Sequence, residues 1–229
     1  MLKDNKLYRI LVIEDNYGDF TIVKELLNDE ILRPSITHAA DFKTASQLLG
    51  DSSQVFDIIL LDLTLPDKSG QSLITETLNL ADSRPIIILT GLSDIELSIK
   101  FISQGISDYL LKDDLNSHVL YKSITYSIER RKVIFELEES KRRYSNLFHL
   151  SPQPMWLYDT ETYQFLQVNV AAIEHYGYTE QEFLGMTVVD IRLEEDKEEL
   201  RKLLLELKNN KEAINRGKYR HKKKEWRVD

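Results

Sequence analysis

The chain has 229 residues, 42% hydrophobic and 30% charged, with no cysteine; this leaves room for one large or two ordinary domains and excludes a disulfide framework, a thiolate metal site and a cysteine nucleophile. Its net charge of −8 sits in the first part: residues 1–130 carry 12 Lys/Arg against 20 Asp/Glu, while residues 131–229 carry 18 of each, which argues against nucleic-acid binding by the first part. No apolar stretch approaches the roughly 20 residues of a membrane-spanning helix, and the first six residues lead into a short strand without a signal-peptide core, so a cytoplasmic protein without membrane contact is expected.

Strands are expected at 7–13, 35–40, 55–61, 85–90 and 106–111, with helices at about 17–31, 42–49, 70–80 and 94–104 between them. Such alternation implies parallel strands with helices on both faces. The runs 58–61 and 86–89 are apolar at every position, as central strands buried on both faces require; the more polar 35–40 run fits an edge. The expected fold is α/β, a flavodoxin-like doubly wound five-stranded parallel sheet of order 2-1-3-4-5, with its site at the switch point between strands 1 and 3. Pro66 and Gly70 break the loop after the third strand, and Pro85 opens the fourth, where a missing N–H is tolerated. Ser93 and Asp94 are placed to cap the next helix, and Gly105 to end it.

From Leu115 to about Leu150 the pattern stays helical, without Gly or Pro, until Pro152 and Pro154. This is too long for a final helix of the first domain alone, so it is expected to continue as a linker. Leu120, Ile124, Ile128, Ile134, Leu137, Tyr144 and Phe148 form an apolar stripe, interrupted by Arg131 and Lys141. The stripe fits either packing on the helix's own domain or a parallel dimer with a rough heptad, and the dimer is preferred because an apolar stripe needs a partner. The expected organisation is a first domain over 1–130, a helix over 115–150 that closes it and continues as linker, and a second domain over 151–229.

In that second part, strands are expected at 151–159 and 163–169, a short helix from Ala171, a helix over about 194–209 and a strand-like end at 217–228. Lys218, Arg220, Lys222, Lys223, Lys224 and Arg227 form a basic run. No aromatic stacking pattern accompanies it, so a solvated strand and turn is the expected form, with no nucleic-acid partner.

The chemistry gathers at strand ends. Glu14-Asp15 follow the first strand, Asp62 closes the third, Thr90 the fourth and Lys112 the fifth. A carboxylate closing a buried strand is costly unless paired, hydrated or metal-bound. This order of acid pair, lone Asp, hydroxyl and Lys over residues 5–130 resembles the receiver domain of two-component response regulators. The resemblance implies that Asp62 is the phosphoacceptor, taking a phosphoryl group from the phosphohistidine of a partner kinase or phosphotransfer protein. Asp62, Glu14, Asp15 and the incoming group are all anionic, so Mg²⁺ is the expected cofactor. Asp15 and Asp62 are the expected direct ligands, Glu14 acts through water, and the Thr64 carbonyl is the backbone ligand by resemblance. Lys112 and the Thr90 hydroxyl would hold the phosphoryl oxygens, with Gly91 leaving space for the donor. By the same resemblance Thr90 and Tyr109 form a switch, the aromatic ring rotating inward as the Thr moves. The sequence departs from the family at Lys112-Asp113, where a proline after a cis bond is usual. A non-proline cis bond costs about 2.5–4 kcal/mol, so either the loop absorbs that strain or it runs trans with altered Lys112 geometry. Asp113 and Asp114 could also cap the following helix.

The stretch Asn169, Ala171-Ala172, Tyr176-Gly177-Tyr178, Glu182 and Leu184-Gly185, with Tyr219-Arg220-His221 and Lys222 to Lys224 beyond, looks like a PAS domain lacking its last hairpin. A PAS photoadduct needs a Cys, which is absent. His175, His149 and His221 are read as surface or packing residues rather than haem ligands, and Trp156, Tyr158 and Phe165 as core; no cofactor is expected there. No output enzyme is visible, and the receiver would catalyse only its own phosphorylation and dephosphorylation. Alternatives are a phosphate-independent pseudo-receiver used for dimerisation, a fragment of a larger sensor kinase, and a haloacid-dehalogenase-like phosphohydrolase. The last needs an acid two residues after the nucleophile, where this chain has Thr64.

Overall fold

The computed structural model describes residues 3–91, 95–209 and 220–224. The chain divides into two compact units, Met1–Glu136 and Leu137–Asp229.

The first unit alternates β1 (Arg9–Ile13), α1 (Tyr17–Glu30), β2 (Ser35–Ala39), α2 (Phe42–Gly50), β3 (Ile58–Asp62), α3 (Gly70–Leu80), β4 (Ile86–Thr90), α4 (Ile95–Ser103) and β5 (Asp108–Leu111). α5 (Ser117–His149) follows and runs into the second unit. The strands are all parallel in the order β2-β1-β3-β4-β5, so the expected doubly wound sheet is the observed one. Strand alternation sorts the apolar residues into two cores. Leu11, Ile13, Ile59, Leu61, Ile86 and Ile88 face α2, α3 and α4 through Phe42, Leu49, Leu73, Ile74 and Phe101. Ile10, Val12, Ile58, Leu60, Ile87 and Leu89 face α1 and α5 through Phe20, Val23, Leu27, Leu120 and Ile124. Covering on both faces is why β3 and β4 are apolar up to their last residues, Asp62 and Thr90, and the more polar β2 lies at an edge.

Local chemistry sets the element ends. The Asn16 side chain accepts the Gly18 N–H at 2.8 Å and starts α1. Asp41 accepts from Thr44 N–H at 2.7 Å to start α2, while Asp67, across the loop after β3, accepts the N–H groups of Phe42 and Lys43. Gly105, past the end of α4, has φ +113, open to glycine at no steric cost. The expected caps Ser93 and Asp94 lie outside the described residues. α5 is capped by Asn116, whose side chain accepts the Val119 N–H at 3.0 Å. Asp113 and Asp114 instead belong to a 3₁₀ turn, Lys112–Asp114, and stay exposed.

The stripe expected on α5 divides. Leu120 and Ile124 are fully buried and Ile128 partly, all on the first unit's own core. Ile134, Leu137 and Tyr144 remain exposed. A different exposed series, Val119, Tyr126 and Val133, repeats every seven residues and leads into Leu137, Tyr144 and Leu147.

In the second unit β6 (Trp156–Tyr158) and β7 (Phe165–Val168) pair antiparallel, followed by α6 (Val170–Tyr176), α7 (Glu180–Leu184) and α8 (Lys197–Asn209). Phe165, Phe183, Tyr176 and Ile191 are buried together, with Trp156 and Tyr158 packed against them. Asn169 is fully buried. Its carbonyl oxygen accepts from Met155 and Ala172 N–H, both at 2.9 Å, and its amide donates to the carbonyls of Phe148 at 3.0 Å and Gln153 at 2.8 Å. One side chain thus caps α6 and fastens the last turn of α5 to the sheet. The expected strand at 217–228 is described only at 220–224, where His221 bridges Arg192.

Candidate functional site

The carboxyl ends of β1, β3, β4 and β5 bring the expected groups to one edge of the sheet. Asp62 is the last residue of β3 and 8% exposed; Glu14, just past β1, is 1% exposed. Burial at those points follows from the apolar strands that carry them, and it makes a compensating cation necessary. Lys112, just past β5, supplies it. Its Nζ lies 2.7 Å from Glu14 Oε2 and 2.8 Å from Asp19 Oδ2, and it donates to Asp62 Oδ2. Burial pushes the Glu14 carboxyl up to about 7, with Asp62 adding to it against the pull of Lys112. For Lys112, burial acts to lower the pKa, and the three carboxylates outweigh it and raise it above the ordinary lysine range.

Asp19 is a member that sequence reasoning missed. It lies in the first turn of α1, four residues beyond Asp15, and the Asn16 cap turns that position toward the strand ends. Carboxylate oxygens of Glu14, Asp19 and Asp62 lie within 4.8 Å of one another. Asp15 is exposed and is not among them.

The loop after β3 is anchored by buried Leu63 and Leu65. Thr64 donates its N–H to Asp62 Oδ1 at 2.8 Å, which fixes the carboxylate's orientation. The backbone bonds at the Thr64–Ser69 bridge run from Leu65 to Lys68 and from Gly70 to Leu63, so neither uses the Thr64 carbonyl. Thr90 is 3% exposed at the end of β4. Tyr109 packs partly buried on the α2–α4 side, its ring 6.5 Å from that of Phe101. No cis peptide bond occurs among the described residues; Lys112-Asp113 is trans, and Lys112 nevertheless reaches Asp62. A Cβ built on Gly91 would meet nothing within 4 Å. Gly91, Asp19, Val23, Lys112 and Leu115 line an open cleft of about 360 Å³.

Three carboxylates facing one ammonium leave negative charge in excess. Their hard oxygen donors fit an octahedral divalent cation such as Mg²⁺.

In the second unit His175 is exposed. His149 lies edge-on to Phe148. His221 packs against Trp156 and Tyr176 and shares a hydrogen bond between its Nδ1 and the Tyr176 hydroxyl. Burial above all, then Arg192 and His175, pushes its imidazole down to about 4. Of the basic run, Arg220 pairs with Asp196 and Glu195, and Lys224 with Glu182; Lys218 and Arg227 lie outside the described residues. No described helix is long and apolar enough to cross a membrane.

Comparison with known proteins matches residues 10–124 to the response regulator receiver domain and residues 142–227 to the PAS fold. The transcriptional regulatory protein CitT of Halalkalibacterium halodurans is 27% identical over 131 residues, covering 57% of this chain and 56% of CitT. The cell cycle transcriptional regulator CtrA of Caulobacter vibrioides is 34% identical over 105 residues, covering 45% of this chain and 43% of CtrA. The chain thus spans about half the length of these relatives. Among solved structures, the signal receiver domain of a protein described as a Luxo repressor from Vibrio parahaemolyticus superposes with a TM-score of 0.50 at 27% identity, covering 58% of this chain and 98% of that one. With the acidic pocket at the strand ends and a receiver match over half its length, the chain belongs to the response regulator receiver family of two-component signalling, its receiver followed by a PAS domain.

Proposed function

We propose that the receiver is a Mg²⁺-dependent phosphoacceptor that takes a phosphoryl group on Asp62 from a partner histidine kinase or phosphotransfer protein and passes that state through α5 to the PAS domain. The observation that carries this is Asp62 itself, buried at the end of β3, oriented by the Thr64 N–H and held by Lys112. Asp62, Asp15, Glu14 and Asp19 would hold the cation with the Thr64 carbonyl. The bound cation offsets the anionic charge that would otherwise repel the donor. An Asp62 carboxylate oxygen attacks phosphorus, the new P–O bond replacing the P–N bond of the donor's phosphohistidine. Lys112 and the Thr90 hydroxyl then hold the phosphoryl oxygens, and Gly91 keeps the approach clear. Movement of Thr90 is followed by the ring of Tyr109, which changes the α4–β5–α5 surface.

Dimerisation through α5 belongs to the same proposal and is supported by the exposed series Val119, Tyr126 and Val133 at heptad spacing. The intact mass of the protein after incubation with Mg²⁺ and acetyl phosphate tests the phosphoacceptor. One added phosphoryl group is expected in the wild type and none in Asp62→Asn; equal labelling of the two would overturn the assignment.

A further inference from the structure

At the opposite end of the sheet from Asp62, where β4 and β5 begin, a cleft of about 300 Å³ is lined by Arg84, Arg130, Arg131, Ser107 and Ser127 over an apolar wall that includes Ile106 and Ile134. All its ionisable lining groups are arginines. Arg84 enters from the turn before β4, which passes through two successive left-handed residues, Asp82 (φ 46) and Ser83 (φ 68). Such a conformation is costly for residues other than glycine and is kept only where the surroundings hold it. Arg84 Nη1 is buried and makes no hydrogen bond. A buried guanidinium N–H without an acceptor is rare and marks the place of an anion or another polar partner. Arg130 and Arg131 come from adjacent positions on α5, and Ser127, one turn earlier, is buried beside them.

We propose that this cleft binds the phosphate group of a small ligand, either inorganic phosphate or a phosphomonoester. Guanidinium groups match oxyanions through paired N–H donors. These arginines arrive from two separate elements, with serine hydroxyls between them. A tetrahedral phosphate accepts hydrogen bonds from all those directions, whereas a carboxylate accepts mainly in its own plane. The cleft is at the lower end of the range for small-molecule sites, about 300–1,000 Å³, so a short carbon skeleton can follow the phosphate onto the apolar wall. A ligand there would tie the turn before β4 to α5, and it needs none of the Asp62 chemistry.

Isothermal titration of the full chain in EDTA, at constant ionic strength, tests this with sodium phosphate, glycerol 3-phosphate and sodium acetate. Saturable one-site binding of phosphate or glycerol 3-phosphate, much stronger than any binding of acetate, is expected, and unchanged in Asp62→Asn. Tighter binding of glycerol 3-phosphate assigns the site to a phosphomonoester, and equal or tighter binding of phosphate to the free ion. Arg84→Gln and Arg130→Gln are each expected to weaken binding about tenfold, the scale of one charge-assisted hydrogen bond. Circular dichroism checks that Arg84→Gln is folded, and the exposed Arg130 provides an independent variant. No saturable binding, acetate binding as well as phosphate, or binding indifferent to both substitutions would overturn the proposal.

Discussion

Lys112 is where the receiver's electrostatics meet, because it touches Glu14, Asp19 and Asp62 together. Removing one partner of a buried ion cluster leaves uncompensated charge, at a cost of about 3–5 kcal/mol for a fully buried pair. Lys112 is partly exposed, so Lys112→Met is expected to lose about 2–4 kcal/mol in EDTA by urea unfolding, and Mg²⁺ is expected to narrow the gap to wild type. Equal stability of the two in EDTA would mean that the cluster does not depend on this ammonium. The groups ending apolar strands were readable from the sequence because strand burial makes them conspicuous. Asp19 was not, since its place depends on the phase of α1, set by a cap at Asn16 that looks like any other loop asparagine. Asp15 stands next to Glu14 in sequence and is exposed, so its part as a cation ligand rests on the proposed function.

At the scale of elements, α5 shows how a helix can hide its unpaired face. The sequence displays Leu120, Ile124 and Ile128 most clearly, and the receiver's own core takes them. The exposed heptad series was harder to see, because Ser123 and Arg130 occupy the alternate positions of that seam. Tyr126→Lys with Val133→Lys is expected to shift the protein to monomer in sedimentation velocity while leaving the Asp62 mass adduct intact. A dimer that persists would place the interface elsewhere. Asn169 is the other element-level device. It joins the end of α5, the segment before β6 and the start of α6 through five hydrogen bonds. Asn169→Ala leaves several buried backbone groups unsatisfied, and about 2–4 kcal/mol is expected to be lost from the second unit. Denaturant unfolding followed by tryptophan emission reads this directly, since both tryptophans, Trp156 and Trp226, lie beyond the first unit.

For the whole molecule, that distribution of tryptophans gives a clean reporter of coupling. The proposed phosphoacceptor, Asp62, lies in a unit without tryptophan, so a change in the tryptophan-reported midpoint registers a free energy passed between units. Acetyl phosphate with Mg²⁺ is expected to shift that midpoint in the wild type and not in Asp62→Asn. An unchanged wild-type midpoint in fully phosphorylated protein would mean that the units are only tethered. The order of the sheet and the placing of its site were legible from strand and helix alternation, because that pattern admits few topologies. The fate of α5 was not, since one amphipathic helix satisfies its stripe equally well against its own domain or another chain.

The sorting of strand residues into two cores has an evolutionary consequence. Ile87 and Ile88 are neighbours in the chain, yet each packs among residues the other does not meet. Ile59 and Ile86 are far apart in sequence but stand side by side in register and share one core. Substitutions that share no partners combine additively, whereas those in contact do not. Tolerance of change in this receiver therefore divides by the parity of strand positions: drift at Ile59 restricts what Ile86 can become, while Ile87 and Ile88 vary on separate histories.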